Sequence, residues 1–462
     1  MTTQRLASAV SLLHGWLPVT VQAIAVAILV LAVGGRTPRW SLRWLPAALL
    51  FGVGAALLVH WYIGYQGWSG DPAPPWFWVW IAVAGFAGVV LPAGWRGTRR
   101  WQRAWSVVAI PLCLLCVALA LNLWVGYLPT VASAWDRLTG APLGGQIDAA
   151  AFRDMREKGA KPIHGTVLSV KIPDDASGFK HRAELVYLPP AWYATKPAPQ
   201  LPVLMMIGGE FGNPTDWPSV GAQNILDDFA AGHGGNAPVV VWVDQSGAFG
   251  NDTECVNGTR GNAADHLTKD VIPYMVSHFG VSPDRAHWGI AGWSAGGTCA
   301  LTLTVKYPQL FTAFVDMDGQ MGPNAGTKEQ TIFRLFGGNA AAWAAFDPQT
   351  VMARHGPYHG ISAWFGVSEP TTSVYRAAAA AHPGDVHVPQ ADPSNSSGVA
   401  AAAQYMCALI SGYGIECAVI SLPGKHDFPS AVKMFESALP WLAGKLGTPG
   451  APVVPLPGAP PS

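Results

Sequence analysis

Four long apolar runs open the chain, covering roughly 10–33, 42–64, 75–94 and 105–128. Each holds about the 20 residues that a helix needs to cross some 30 Å of hydrocarbon, and none carries a charge away from its ends. The first is too long to be a removed signal peptide and lacks an obvious small-residue cleavage site. The pattern then changes. Candidate strands fall at 183–188, 202–207, 238–243, 286–291, 312–316, 361–366 and 415–421, and helical stretches include 263–279, 295–306, 371–381 and 398–411. Strand–helix alternation of this kind predicts an α/β domain with a mostly parallel sheet. The expected organisation is a four-span transmembrane domain over 1–130, a linker over 131–160 with one short helix, the α/β domain over 161–446, and a Pro-rich extended or disordered tail over 447–462.

Charge sharpens the division. The 462 residues carry 28 basic and 28 acidic side chains, so the formal net charge is zero, and only 12% of residues are charged. That is about half the usual share of a soluble chain, which argues against a wholly soluble or a disordered protein. No basic excess points to nucleic acid. The balance is uneven: residues 1–135 hold eight arginines, Arg5 among them, no lysine and one acid, Asp71, a formal +7 against −7 for the rest. Arg36, Arg39 and Arg43 separate spans one and two; Arg96, Arg99, Arg100 and Arg103 separate spans three and four. The positive-inside rule makes both connections cytoplasmic and puts the N-terminus and everything after residue 130 outside the cytoplasmic membrane. Trp40, Trp44, Trp68, Trp76, Trp95, Trp101 and Trp105 sit near span ends, as an aromatic belt would. Gln22, His60 and Asn122 read as helix–helix or interface partners, and Cys113 and Cys116, one turn apart in span four, as small apolar fillers. Spans without internal charges argue against a transport pathway and for an anchor or a homo-oligomer contact.

The sharpest chemical signal is Gly292-Trp293-Ser294-Ala295-Gly296, between an apolar strand and a helical run. Glycines there permit the tight turn that lifts a serine hydroxyl clear of the backbone, so Ser294 is the candidate nucleophile. The base should follow the last strand, where His426 stands; His355, His359, His382 and His387 occupy less suitable loops. The acid should end the preceding strand, which selects Glu369, with Asp392 second. Asp427 suits loop support, and Asp316 and Asp318 end an earlier strand that is used less often. Oxyanion donors are expected at the Ala295 N–H and at Glu210 in the loop Gly208-Gly209-Glu210-Phe211-Gly212. Gly209, Trp217 and Trp293 are candidate substrate-binding residues, with Asp216 beside Trp217.

These segments resemble the esterase D / antigen 85 group of α/β-hydrolases. The similarity runs from Pro202-Val203-Leu204 through Gly208-Gly209 to Asp216-Trp217. It continues in Asp270-Val271-Ile272-Pro273-Tyr274 and Asp284-Arg285, and leads into Gly292–Gly297. It covers about 160–445 and implies an α/β-hydrolase fold with acyl-ester chemistry through Ser294, Glu369 and His426. The group includes carboxylesterases and mycolyltransferases. Members often place His or Asp where this chain has Gly208.

Cys255, Cys299, Cys407 and Cys417 all lie in the domain assigned to the outside, where disulfides persist. Four cysteines allow three connectivities; 255–299 with 407–417 is the pairing expected here. No zinc spacing accompanies them, and neither metal nor cofactor is expected. The whole reads as a membrane-anchored serine esterase or acyltransferase working on acyl-ester or lipid substrates beside membrane lipid. Transfer to a sugar acceptor and a non-catalytic envelope-binding scaffold are the alternatives.

Overall fold

The computed structural model describes residues 10–68, 73–95, 98–379 and 398–460. Arg5, Asp71, Arg96, His382, His387 and Asp392 lie outside them. The chain divides into two units, residues 1–141 and 142–462.

The first unit contains helices α1 (Trp16–Val33), α2 (Pro38–Gln66), α3 (Pro75–Ala93) and α4 (Arg100–Val125), all long and apolar enough to cross a membrane. Thr37 starts α2 by accepting the Trp40 N–H at 3.3 Å, with Pro38 in the first helical position. Where α2 meets α3, a Cβ on Gly52 would come within 2.3 Å of the Ala82 carbonyl oxygen. Only glycine permits that approach, the small-residue packing that lipid-embedded helices use. Leu49, Leu50, Leu57 and Leu58 point their side chains outward from α2. At one end of the bundle Gln102 Nε2 donates to the Gly34 carbonyl (2.8 Å) and Arg36 Nη2 to Ser106 Oγ (3.2 Å). The two arginine-bearing connections therefore share that end. The opposite end ties the Leu12 N–H to the Pro129 carbonyl at 2.9 Å. Asn122 serves its own chain there, bonding both the N–H and the carbonyl of Leu128 at 2.8 Å. Cys113 and Cys116 are buried and free.

The second unit is built on a ten-stranded sheet. Its strands are β1 (Gln146–Ile147), β2 (Thr166–Val170), β3 (Glu184–Leu188), β4 (Val203–Ile207), β5 (Val239–Trp242), β6 (Trp288–Trp293), β7 (Ala313–Met317), β8 (Ser362–Val367), β9 (Val374–Arg376) and β10 (Glu416–Ser421), in the spatial order β1-β2-β3-β5-β4-β6-β7-β8-β10-β9. From β5 to β10 every neighbouring pair is parallel. Those strands are continuous apolar runs because helices cover both faces, and Met205, Val241, Ile290, Phe314 and Phe365 share one core. The order, with helical crossovers and a strand–turn–helix after β6, is the α/β-hydrolase fold.

Four details depart from the expected layout. The 131–160 segment is no single linker: helix Val131–Thr139 lies in the first unit, while β1 and helix Ala149–Lys158 join the second, where β1 pairs with β2 and Phe152 stacks on Trp192 at 5.7 Å. Of the run expected to be helical at 371–381, the described residues 371–379 are not helical. Residues Val374–Arg376 form β9, antiparallel to β10, fixed by Tyr375 Oη donating to Glu416 Oε1 at 2.7 Å. The helix expected over 263–279 is interrupted by a π-helical turn at His266–Val271. The described part of the Pro-rich tail, 447–460, lacks regular structure but is held down, with Leu456 buried and the Thr448 N–H donating to the Ala443 carbonyl at 2.9 Å.

Candidate active site

Ser294 stands between β6 and helix Ala295–Lys306 at φ 56° and ψ −122°. A residue with a side chain rarely adopts this conformation, and it holds the hydroxyl out of the turn. The flanking glycines make room for it. A Cβ on Gly292 would lie 2.1 Å from the Gly296 carbonyl oxygen, and one on Gly296 would lie 2.4 Å from that of Gly208. The Ser294 N–H donates to the Met317 carbonyl at 2.8 Å, tying the turn to β7. His426 follows β10, and its Nε2 lies 3.0 Å from Ser294 Oγ. Trp293 is almost fully buried and packs its ring 5.2 Å from the imidazole, so it supports the histidine. Asp427 caps the closing helix, accepting the Ser430 N–H at 3.0 Å, as its loop-support reading expects.

The expected acid is not the one beside the imidazole. Glu369 lies past the end of β8, is exposed, and accepts the Ala400 N–H at 3.0 Å in the first turn of helix Val399–Gly412. The carboxylate facing His426 Nδ1 is Asp318, whose Oδ2 lies 3.6 Å away. Asp318 sits just after β7 at φ 54°. Its N–H donates to the Gly366 carbonyl (2.8 Å) and its Oδ1 accepts the Ser368 N–H (2.7 Å), so the end of β8 clamps it in place. Burial raises its carboxyl above the usual range, opposed by His426 and reinforced by Glu369. Asp316 braces the same turn by accepting the Gly319 N–H at 2.7 Å; burial pushes its carboxyl up to about 8. The signal for Asp318 was present as the dipeptide Asp318-Gly319 closing a strand, a turn with left-handed backbone.

The loop after β4 is fixed from beneath. Gln245 Nε2 donates to the carbonyls of Gly208 (3.2 Å) and Gly209 (2.9 Å), Arg182 Nη2 to that of Gly212 (2.8 Å), and the Gly212 N–H closes a turn onto Gly209 at 2.9 Å. Glu210 is at the centre of this turn. Burial holds its carboxyl well above the ordinary range, and nearby Asp252 adds to the effect. Ala295, the first residue of its helix, has an N–H with no acceptor within that helix. Trp217 does not line a pocket. It is fully buried, donates to the Ile207 carbonyl at 3.0 Å, and packs 4.8 Å from Phe428, because the short helix Asp216–Ser219 turns it into the core. Asp216 is buried too and accepts the Asn213 N–H at 2.7 Å. Cys255 and Cys299 form a disulfide that joins the loop after β5 to the nucleophile helix, and Cys407 pairs with Cys417.

Residues 180–390 match the family model described as "Putative esterase". That match falls within the second unit. An uncharacterized protein of Corynebacterium glutamicum is 37% identical over 225 residues, which are 47% of this chain and 51% of that protein. The chain thus spans about half the length of that curated relative. Among solved structures, an S-formylglutathione hydrolase from Agrobacterium tumefaciens is similar at 16% identity and a TM-score of 0.47, covering 62% of this chain and 97% of that one. The MPT51 protein of Mycobacterium tuberculosis is similar at 17% identity and a TM-score of 0.40, covering 60% and 98%. The matched segment holds Ser294, Asp318, Glu369 and the loop after β4, and His426 lies past its end.

Proposed function

We propose that the second unit is a serine carboxylic-ester hydrolase or acyltransferase. The observation that carries the reading is the 3.0 Å approach of His426 Nε2 to the hydroxyl of Ser294 on its strained strand-to-helix turn. His426 takes the Ser294 proton as Oγ adds to the ester carbonyl carbon. The N–H groups of Ala295 and Glu210 hold the oxyanion. As the carbon–oxygen bond to the leaving alcohol breaks, the imidazolium returns the proton to that alcohol, leaving an acyl group on Ser294. Water or an acceptor hydroxyl then gives its proton to His426 and attacks the acyl carbon; as the bond to Oγ breaks, the imidazolium returns the proton to Ser294. Asp318, the carboxylate facing Nδ1, orients the imidazole and stabilises its cation.

The four apolar helices anchor this domain in the cytoplasmic membrane. Their two arginine-bearing connections face the cytoplasm, so the domain works outside, beside lipid substrates. A product assay tests the chemistry: an acyl ester is supplied with and without trehalose or another glycan. Free acid appears with wild type and not with Ser294→Ala, and an acyl-sugar product marks the transfer branch. A folded wild type that gives neither product with any acyl ester overturns the reading.

A further inference from the structure

A second cluster of reactive side chains lies apart from the Ser294 set. His181 precedes β3, Glu184 opens it, and His266 begins the π-helical turn. His181 Nδ1 and His266 Nε2 each lie 2.9 Å from the same Glu184 oxygen, Oε1, and the three ligand atoms all fall within 4.8 Å of one another. The side chains of Glu184 and His266 are fully buried and that of His181 nearly so.

We propose that His181, Glu184 and His266 bind a divalent transition-metal ion, zinc above all. Two imidazoles and a carboxylate are the donor set that zinc takes when three protein groups hold it. Tetrahedral bonds of about 2.1 Å need donor atoms roughly 3.4 Å apart, close to the spacing found here. Three further observations point to an ion rather than to a self-contained polar network. Glu184 Oε2 is buried with no hydrogen-bond partner, a costly arrangement that a second metal–oxygen contact removes. His266 Nδ1 lies 3.3 Å from Asp270 Oδ2, and Asp270 Oδ1 in turn accepts the Ala176 N–H at 2.9 Å. That is the carboxylate–histidine support that metal-bound imidazoles carry on their other nitrogen. The π-helical turn spans His266 to Asp270, the two residues of this relay, and such turns concentrate at functional sites.

His181 Nδ1 also lies 2.8 Å from the Arg182 carbonyl oxygen, so coordination competes with that contact and the ring shifts slightly to bind. Three protein donors leave one position for water or for Glu184 Oε2. The ion is structural here: it joins the segment before β3 to the π-helical turn. It also braces Arg182, which pairs with Asp244 at 2.6 Å and donates to the Gly212 carbonyl in the loop after β4.

The test uses the full-length chain purified in detergent, in a Cys113→Ser/Cys116→Ser background so that the free thiols contribute no metal. The protein is stripped with a chelator, equilibrated with zinc alone, and its metal content measured; cobalt is then added in zinc's place. Wild type is expected to retain one zinc per chain and to show the visible absorption of four-coordinate cobalt with nitrogen and oxygen donors. His266→Ala and Glu184→Gln are expected to lose at least tenfold of the bound zinc. Zinc is also expected to raise the melting temperature of wild type and not of either variant. A folded wild type that holds no zinc, shows no cobalt bands and melts at the same temperature with and without zinc overturns the proposal, whatever the variants do.

Discussion

In the proposed mechanism Asp318 and Glu369 are rival candidates for the acid, and they differ in what holds each carboxylate. Glu369 stands at the position that strand order favours, but its carboxylate is spent on the start of helix Val399–Gly412. Asp318 is clamped by two hydrogen bonds to the end of β8 and faces the imidazole. Asp318→Asn keeps the acceptor for Ser368 and removes the charge, so kcat for ester hydrolysis should fall on the order of 10³-fold or more. Glu369→Gln should leave kcat near that of wild type, its cost confined to helix stability. Steady-state kinetics on both variants checks this; the reverse ranking would return the acid to Glu369. The meeting of Ser294 and His426 was legible because a local motif marks the one and order after a strand marks the other. Asp318 was not, because its role depends on how two non-adjacent strand ends meet. Trp217 failed for a related reason: a tryptophan in a loop beside the site reads as pocket lining until the short helix Asp216–Ser219 turns it inward.

At the scale of elements, apolar runs bounded by turn residues predicted all six parallel strands from β5 to β10. The errors cluster where context outweighs pattern. The segment at 374–376 became an edge strand because Val374 and Tyr375 suit a pleated surface and Glu416 on β10 offered a partner for the phenol. The π-helical turn could not be read from periodicity. The Cys255–Cys299 disulfide couples elements 44 residues apart and pins a loop in which Glu254 and Cys255 adopt φ 50° and 52°. Replacing both cysteines by serine should cost about 2–4 kcal/mol of stability, by freeing the unfolded chain and releasing that loop. The expected readout is a lower melting temperature of the second unit and faster loss of esterase activity on warming. Melting unchanged from wild type would contradict this role of the disulfide.

At the scale of the molecule, the zero net charge divides into +7 over residues 1–135 and −7 over residues 136–462, and the structure divides the chain close by, after Ala141. The arginine-rich part carries four helices fit to cross a membrane, with both arginine-bearing connections at one end of its bundle. The second unit carries the disulfides and the Ser294 site. Span number and loop charge were legible because hydrocarbon thickness and the cost of burying charge leave little freedom. The unit boundary was less so, because helix Val131–Thr139 and helix Ala149–Lys158 look alike in sequence and are separated only by what each packs against.

The account rests on Ser294 being an activated nucleophile presented outside the membrane. The most direct measurement is labelling with a membrane-impermeant fluorophosphonate, applied to intact cells and to the detergent-solubilised chain, followed by mass analysis of the labelled peptide. The account predicts a single adduct on Ser294 in both preparations and none in Ser294→Ala. No adduct on folded, solubilised wild type would contradict the catalytic claim, and an adduct that forms only after the cells are opened would contradict the orientation.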